Sequence, residues 1–290
     1  MGERRWTRGR IALVVLAAVV VVGVVIAAAL WPRDTTEVVS VDEAVDNFRN
    51  STMPSETSTP ASEAPPASAP TMTAADTVSA TSEPAVTLTL AEPGVYRYTT
   101  SGWEDIDALS GARHDYPAET TITVTAEGCG VRLRWDALRE RRDEWRLCVT
   151  ERGIELQPDG IQYHEFFQQP ELEHVECDRS VVVVPIGDSP PEPVPQSCLL
   201  EGDPWSPTWT AVARTERDVD GTPVPVWHAR MTVDDNDDYW EHTTTDWFLD
   251  DQGLPVAATS TKESKSPSPV GDVRYRESYE LSAESLTPLR

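Results

Sequence analysis

The sequence predicts a mainly β extracytoplasmic domain, an antiparallel sheet with few short helices, carried on one N-terminal transmembrane helix and a disordered linker. Three observations predict it. Residues 11–30 form an apolar run of twenty positions without a charge or a strong polar group. Beyond residue 86 the apolar residues recur at every second position, the period of a half-buried strand. Between these runs Gly, Pro and Asp cluster at near-regular spacing, as turns do in a meander.

At about 1.5 Å rise per residue the apolar run reaches ~30 Å as a helix, the thickness of a bilayer's hydrocarbon core. Arg4, Arg5, Arg8 and Arg10 precede it and Trp31 follows it. The basic flank orients residues 1–10 as a cytoplasmic tail, residues 11–31 as the span and everything beyond it as outside. A cleaved secretory signal ending at Ala27-Ala28-Ala29 is the rival reading, but its apolar stretch is typically only about 7 to 15 residues. No cysteine follows the run, which argues against a lipid-acylated form.

Residues 32–85 read as a tether. Ser40 with Glu43 three positions on is a capping box, and Val38, Val41, Ala44, Val45 and Phe48 recur at helical spacing, so a short amphipathic helix is expected near the membrane surface. From residue 51 to 85 the chain is almost wholly Ser, Thr, Pro, Ala and Glu. Such a stretch buries too little apolar surface to offset its ordering entropy and reads as an extended spacer.

The domain proper is residues 86–290. In Thr121-Ile122-Thr123-Val124-Thr125 apolar residues alternate with threonine; Val273, Tyr275, Tyr279 and Leu281 share one face while Arg274, Arg276, Ser278 and Glu280 share the other. Turn signals stand at Pro158-Asp159-Gly160, Asp220-Gly221, from Asp234 to Asp238, at Asp250-Asp251-Gln252-Gly253, and from Ser266 to Gly271. They bound five late strands over residues 207–217, 224–233, 239–249, 255–264 and 270–282. The best helix candidate is residues 103–109, with Ser101 and Glu104 in capping-box spacing and Gly111 to end it. Residues 138–144 read as a hairpin tip.

Four cysteines, Cys129, Cys148, Cys177 and Cys198, lie beyond the apolar run, on the side where disulfides persist. Sequential pairing, Cys129 with Cys148 and Cys177 with Cys198, closes two loops that local hairpins bring together. Strict alternation, with Val131 and Leu133 inward opposite Leu147 and Val149, points Cys129 inward and Cys148 outward; a bulge at Gly128 or Gly130 repairs that parity. A zinc site with His174 near Cys177 is the alternative, and it lacks paired C-x-x-C spacing.

Charge excludes some classes of partner. Residues 1–10 hold four arginines against Glu3, so the remaining 280 residues carry 20 basic groups against 48 acidic ones, a net −28. A domain that acidic does not suit nucleic acid or an anionic membrane surface. Arg132, Arg134, Arg139, Arg141, Arg142 and Arg146 form one basic cluster, but Asp136, Glu140, Asp143 and Glu144 interleave with it and predict a self-neutralised hairpin.

Nothing in the chain spells an enzyme. No G-x-S-x-G, H-E-x-x-H, C-x-x-C or phosphate-binding glycine loop occurs, and His114, His164, His174, His228 and His242 stand singly. No catalytic residue or cofactor is assigned. Asp234, Asn236 and Asp238 match the first ligand positions of a calcium loop, yet Tyr239 stands where that loop has glycine and Thr245 where it has glutamate. Nine of the ten tryptophans lie beyond residue 30, with Trp205, Trp209, Trp227, Trp240 and Trp247 in the late strands. Aromatics in that position fill a β core or line an apolar pocket.

Gly94-Val95-Tyr96-Arg97-Tyr98, Tyr116 to Thr121, Cys129-Gly130 and Trp135, then Asp246-Trp247-Phe248 and Gly253-Leu254-Pro255-Val256, resemble the ectodomains of membrane-anchored envelope proteins of actinobacteria. The ending, Val273-x-Tyr275-x-Glu277 and Ser285-Leu286-x-Pro288, resembles the LolA and LppX type of lipoprotein carrier. That resemblance implies a curved half-barrel around an apolar cleft, with lipid binding. The chain departs from the carriers in lacking a lipobox cysteine. The functional expectation is therefore a binding or interaction module at the cell membrane, its partner an envelope protein or an apolar ligand; lipid carriage is the alternative and hydrolysis the weakest reading. A carrier predicts a cavity of several hundred Å³, and a protein-binding module predicts an exposed apolar patch.

Overall fold

A computed structural model describes residues 34–52, 88–108, 111–187, 189–236, 240–268 and 271–290. The apolar run at 11–30 and the spacer at 53–85 lie outside the described residues. No helix among the described residues is long and apolar enough to cross a membrane.

One helix, α1 (Val41–Thr52), precedes the sheet, and its capping serine forms as expected, with Glu43 N donating to Ser40 Oγ at 3.2 Å. The sequence places this helix in the tether, but it packs on the β domain: Ala44 and Val45 are buried against Val95. Period-two strands follow: β1 (Gly94–Ile106), β2 (Ala112–Asp115), β3 (Glu119–Glu127), β4 (Gly130–Asp136), β5 (Arg141–Thr150), β6 (Gly153–Phe166), β7 (Gln169–Cys177) and β8 (Val181–Pro185). Three short strands, β9 (Val194–Pro195), β10 (Cys198–Leu200) and β11 (Asp203–Trp205), lead into the long β12 (Thr208–Val219), β13 (Thr222–Asp234), β14 (Trp240–Leu249), β15 (Pro255–Ser268) and β16 (Gly271–Ala283). These last five match the meander read from the turns.

All the strands pair antiparallel in a single curved half-barrel sheet, in the order β11-β10-β7-β6-β5-β4-β3-β1-β16-β15-β14-β13-β12-β9, with β2 beside β1 and β8 beside β6. The strands near its two ends, β9 and β10, are joined by Gln196 and Ser197 alone. The chain thus draws the free ends of the sheet toward each other. The main core lies on the concave face, where Tyr96, Tyr98, Ile122, Leu133, Trp135, Leu147, Ile154, Trp227, Leu254 and Leu281 are buried together. By strand alternation Val95 faces the other side of β1 from Tyr96 and Tyr98, and there α1 covers it.

Three expectations are corrected. Residues 103–106 belong to β1 and form no helix, because Trp103 to Ile106 pair with β2 and β16. Pro158-Asp159-Gly160 is no turn: Trp145 pairs with Gly160 and Leu147 with Leu156, so residues 157–159 bulge out of β6. At that bulge β6 exchanges its outer neighbour β8 for β7. Proline, which has no N–H for a ladder, fits there. Val149 does not face the core; it is 38% exposed while Cys148 is buried.

Both disulfides pair in sequence order, Cys129 to Cys148 and Cys177 to Cys198. The parity problem is solved by a turn: Glu127 pairs with Gly130, leaving Gly128 and Cys129 as a two-residue hairpin tip with Gly128 at φ 54°. Gly130 is required there, because a Cβ would stand 1.9 Å from the Leu147 carbonyl oxygen. With Cys177 in a disulfide, its sulfur is not available to a zinc site with His174.

Candidate functional site

The concave face holds a cleft of about 160 Å³ between the β5–β7 wall and the β13–β16 wall. Alternation aims Trp145 and Leu147 of one wall and Trp247 and Leu249 of the other into it. Trp145 and Trp247 meet with ring centroids 5.0 Å apart, and Trp205 and Trp209 add two further indoles to the lining. Along β6 every residue from 156 to 163 is half-exposed, so this wall is open to solvent rather than sealed. A second hollow, of about 500 Å³, lies between β8 and the proline-rich segment after it. Among the described residues its lining has no aromatic ring, and of its polar members Arg152, Arg179 and Ser180 are engaged by Glu155 and Asp178, so the first cleft is the better candidate.

One wall of the cleft carries a buried carboxylate. Glu241 is 1% exposed; its Oε1 accepts from Thr243 Oγ1 at 2.7 Å and from Trp205 Nε1 at 3.4 Å. Lys262 Nζ lies 3.5 Å from Oε2, yet Oε2 receives no hydrogen bond.

Beyond Arg141 and Glu277, which line the cleft, a larger polar network crosses the interior. Glu104 and Glu277 are direct cross-strand partners on β1 and β16, and Arg141 reaches both, with Nε at 3.7 Å and 3.0 Å. Arg141 also forms a bidentate pair with Asp143, and the Tyr116 hydroxyl donates to Glu277. On the far side Glu104 meets His114 Nδ1 at 2.8 Å, His164 Nδ1 at 3.0 Å and the Tyr275 hydroxyl at 2.9 Å. His114 Nε2 is 2.8 Å from Asp34 Oδ2, and Asp34 Oδ1 accepts from Phe167 N. Phe167 and Gln168 both sit at positive φ, 55° and 60°, in the β6–β7 turn. Such a conformation is costly for a bulky residue, and the Asp34 carboxylate holds the turn in place.

The electrostatics follow from these partners. Burial alone pushes the Glu104 carboxyl up, but hydrogen bonds from His114 and His164 and the charges of His164 and Arg141 bring it down to about 2. Burial pulls the His114 imidazole down, and its two carboxylate neighbours outweigh that and raise it. The network is a set of charges satisfied by one another, clamping the β5–β6 wall to β1, β2 and β16.

No family model matches the chain. Neither a curated protein nor a solved structure matches it.

The residues singled out from the sequence are dispersed accordingly. Each of the six arginines is paired, Arg132 with Glu127 and Glu144, Arg134 with Asp136, Arg139 with Glu37 and Glu43, Arg141 within the network, Arg142 with Glu144 and Arg146 with Asp159. His114 and His164 converge on Glu104, whereas His228 pairs with Asp246 and His242 with Asp234. In the calcium-like loop Asp234 accepts from Asn236 at 3.4 Å, and Asp238 lies outside the described residues. Among the described residues no group of three or more His, Cys, Asp or Glu is placed to hold a metal ion. Sequence reasoning missed Glu104, Glu241 and Glu277; a carboxylate on the inward parity of a strand was the signal for each.

Proposed function

We propose that this chain is a membrane-anchored envelope protein whose β domain binds a small apolar ligand in the concave cleft. The observation that carries the reading is the set of tryptophans, Trp145 and Trp205 from one end of the sheet path and Trp209 and Trp247 from the other, converging on one open cleft. Half-exposed aromatic rings in a concavity are the usual lining of a small-molecule site, and a solid core buries them. Large apolar side chains on the outside, such as Val38, Leu172, Ile186 and Val212, are scattered over separate elements and make no docking patch among the described residues.

Size separates a ring-sized ligand from a lipid. A cavity of roughly 150 Å³ accommodates one benzene ring, so a cleft of about 160 Å³ suits a single ring or a short acyl segment and falls short of a two-chain lipid. The half-barrel form is compatible with the carrier resemblance, while the lining argues for smaller cargo. Two disulfides support a location outside the cytoplasm, and the apolar run at 11–30 supports the anchor.

Mass spectrometry of organic extracts from the purified full-length protein tests the reading. The expected result is a small apolar compound near one per chain, lost in a Trp145→Ala/Trp247→Ala variant that keeps its β-sheet circular dichroism. Extracts without ligand, together with no response of the wild-type protein to ring-sized apolar compounds, would overturn it.

A further inference from the structure

Residues 34–52 stand between the apolar run and the spacer, and they dock on the β domain at several points along their length. Asp34 accepts from Phe167 N at 2.9 Å through Oδ1 and meets His114 Nε2 at 2.8 Å through Oδ2. The Glu37 amide donates to the Glu140 carboxylate at 2.9 Å, and the Glu37 carbonyl accepts from Arg139 N at 2.9 Å. Helix α1 then lies on the outer face of β1, with Ala44 and Val45 over Val95 and Arg49 reaching the Arg290 carbonyl. On the other side of the spacer, Leu88 and Leu90 pack against the main core and Ala91 N donates to Gln252 O at 3.0 Å. The spacer at 53–85 therefore leaves the domain and returns to it. A segment closed on one body at both ends adds nothing to the distance between that body and a membrane.

We infer that the β domain stands directly on the lipid headgroup layer of the membrane that holds its own N-terminal span, with the β6–β7 turn and β2 facing the lipid. This rests on the anchor reading of residues 11–31 and adds the face and the height. Only Pro32 and Arg33 lie between Trp31 and Asp34, and three residue steps reach about 10 Å when fully extended. The headgroup layer on each side of a bilayer is itself roughly 5 to 8 Å deep. His114 and the Phe167 amide, fixed to Asp34, are therefore kept at the edge of that layer. The short connection imposes the contact, and no basic patch is needed for it: the six arginines of the β4–β5 region are already paired within the chain. Arg141 and Glu277 belong both to the Glu104 network and to the cleft lining, so the cleft is carried at the same fixed height.

The test uses full-length protein labelled with 5-fluorotryptophan in phosphatidylcholine nanodiscs doped with a gadolinium-chelating headgroup lipid, which broadens ¹⁹F signals close to the bilayer. Trp31 reports the anchor, and Trp103, beside Glu104 on β1, reports the face. Trp31→Phe and Trp103→Phe variants assign the two signals. One insert of about 30 Gly/Ser residues, spanning roughly 30 Å on average, is placed either between Arg33 and Asp34 or between Ala69 and Pro70. Both signals are expected to broaden in the wild-type protein. The insert after Ala69 should leave the Trp103 broadening unchanged, whereas the insert after Arg33 should abolish it while Trp31 stays broadened. A sharp Trp103 signal beside a broadened Trp31, or one sharpened by the insert after Ala69, overturns the inference and leaves the anchor standing, because the spacer would then set the distance. Trp103 broadening that survives the insert after Arg33 removes the short connection as the cause and also overturns it. If Trp31 itself is not broadened, the anchor reading falls and the inference falls with it.

Discussion

His114 touches carboxylates through both ring nitrogens, Glu104 at one and Asp34 at the other, and an imidazole donates from both only when it is charged. Phe166 stacks on its ring, and behind Glu104 stand His164, Tyr275 and Arg141. Because the folded state raises the His114 pKa above 6.5, its contribution is complete below pH 6.5 and is lost as pH rises through the folded value. Glu104 acts with the opposite sign: its contribution is complete above pH 4.5 and disappears as pH falls toward 2. Asp136 and Asp250, both raised by burial, work against Glu104 in the acid range. The alkaline limb is therefore the cleaner assay. Urea titrations from pH 5 to 9 should show wild-type stability falling above pH 6.5, and His114→Gln should be less stable at pH 5 with a flatter profile above it. An unchanged alkaline slope in the variant would remove His114 as the cause.

At the scale of elements, the hairpins and the helix carry separable contributions. Cys129–Cys148 and Cys177–Cys198 span sequence separations of 19 and 21, so each stabilises by about 3 kcal/mol through restriction of the unfolded chain. They should differ in a second respect. Cys177 lines the cleft and its disulfide ties β7 to β10, whereas Cys129 sits at an exposed hairpin tip. Cys177→Ser/Cys198→Ser should weaken ligand binding as well as lower the urea midpoint, and Cys129→Ser/Cys148→Ser should lower the midpoint alone. Helix α1 is held by Ala44 and Val45 over Val95, by Arg139 bridging Glu37 and Glu43, and by Arg49 on the Arg290 carbonyl. Placing a carboxylate in that apolar contact, Val45→Asp, should cost more than about 2 kcal/mol of docking. Hydrogen exchange of the amides in 41–52 should then rise while β1 and β3 stay protected; protection retained in the helix would show that its docking rests elsewhere.

For the molecule as a whole, the antiparallel late strands were legible from their alternation and the late turns from residues that need positive φ, while the curvature of the sheet was expected only from the family resemblance and from no pattern in the residues. Asp220 and Gly221, at φ 50° and 75°, form the two-residue tip between β12 and β13 that Asp-Gly announces. The false signals have identifiable causes. Ser101 and Glu104 have capping-box spacing, but Glu104 is drawn into the interior by His114 and His164, and a strand is the conformation that delivers it there. Pro158-Asp159-Gly160 has turn composition, yet β6 continues through it because β5 runs unbroken alongside and β7 takes over on the other edge. Composition reports what a segment tolerates, and neighbouring strands decide what it does.

The amino-acid order by itself determined the alternating strands of the late meander, the tips between them, the capped helix and the two cystines, since each depends on residues close along the chain. Only the tertiary structure decided that Asp34 would hold the turn at Phe167, that Glu104 would gather His114, His164 and Arg141, and that Trp145 would face Trp247 across a cleft that Glu241 lines. Those groups come together because the sheet curls until its walls meet. The curl is the sum of small twists over many strand pairs, and no local pattern in the chain records where that sum brings two side chains into contact.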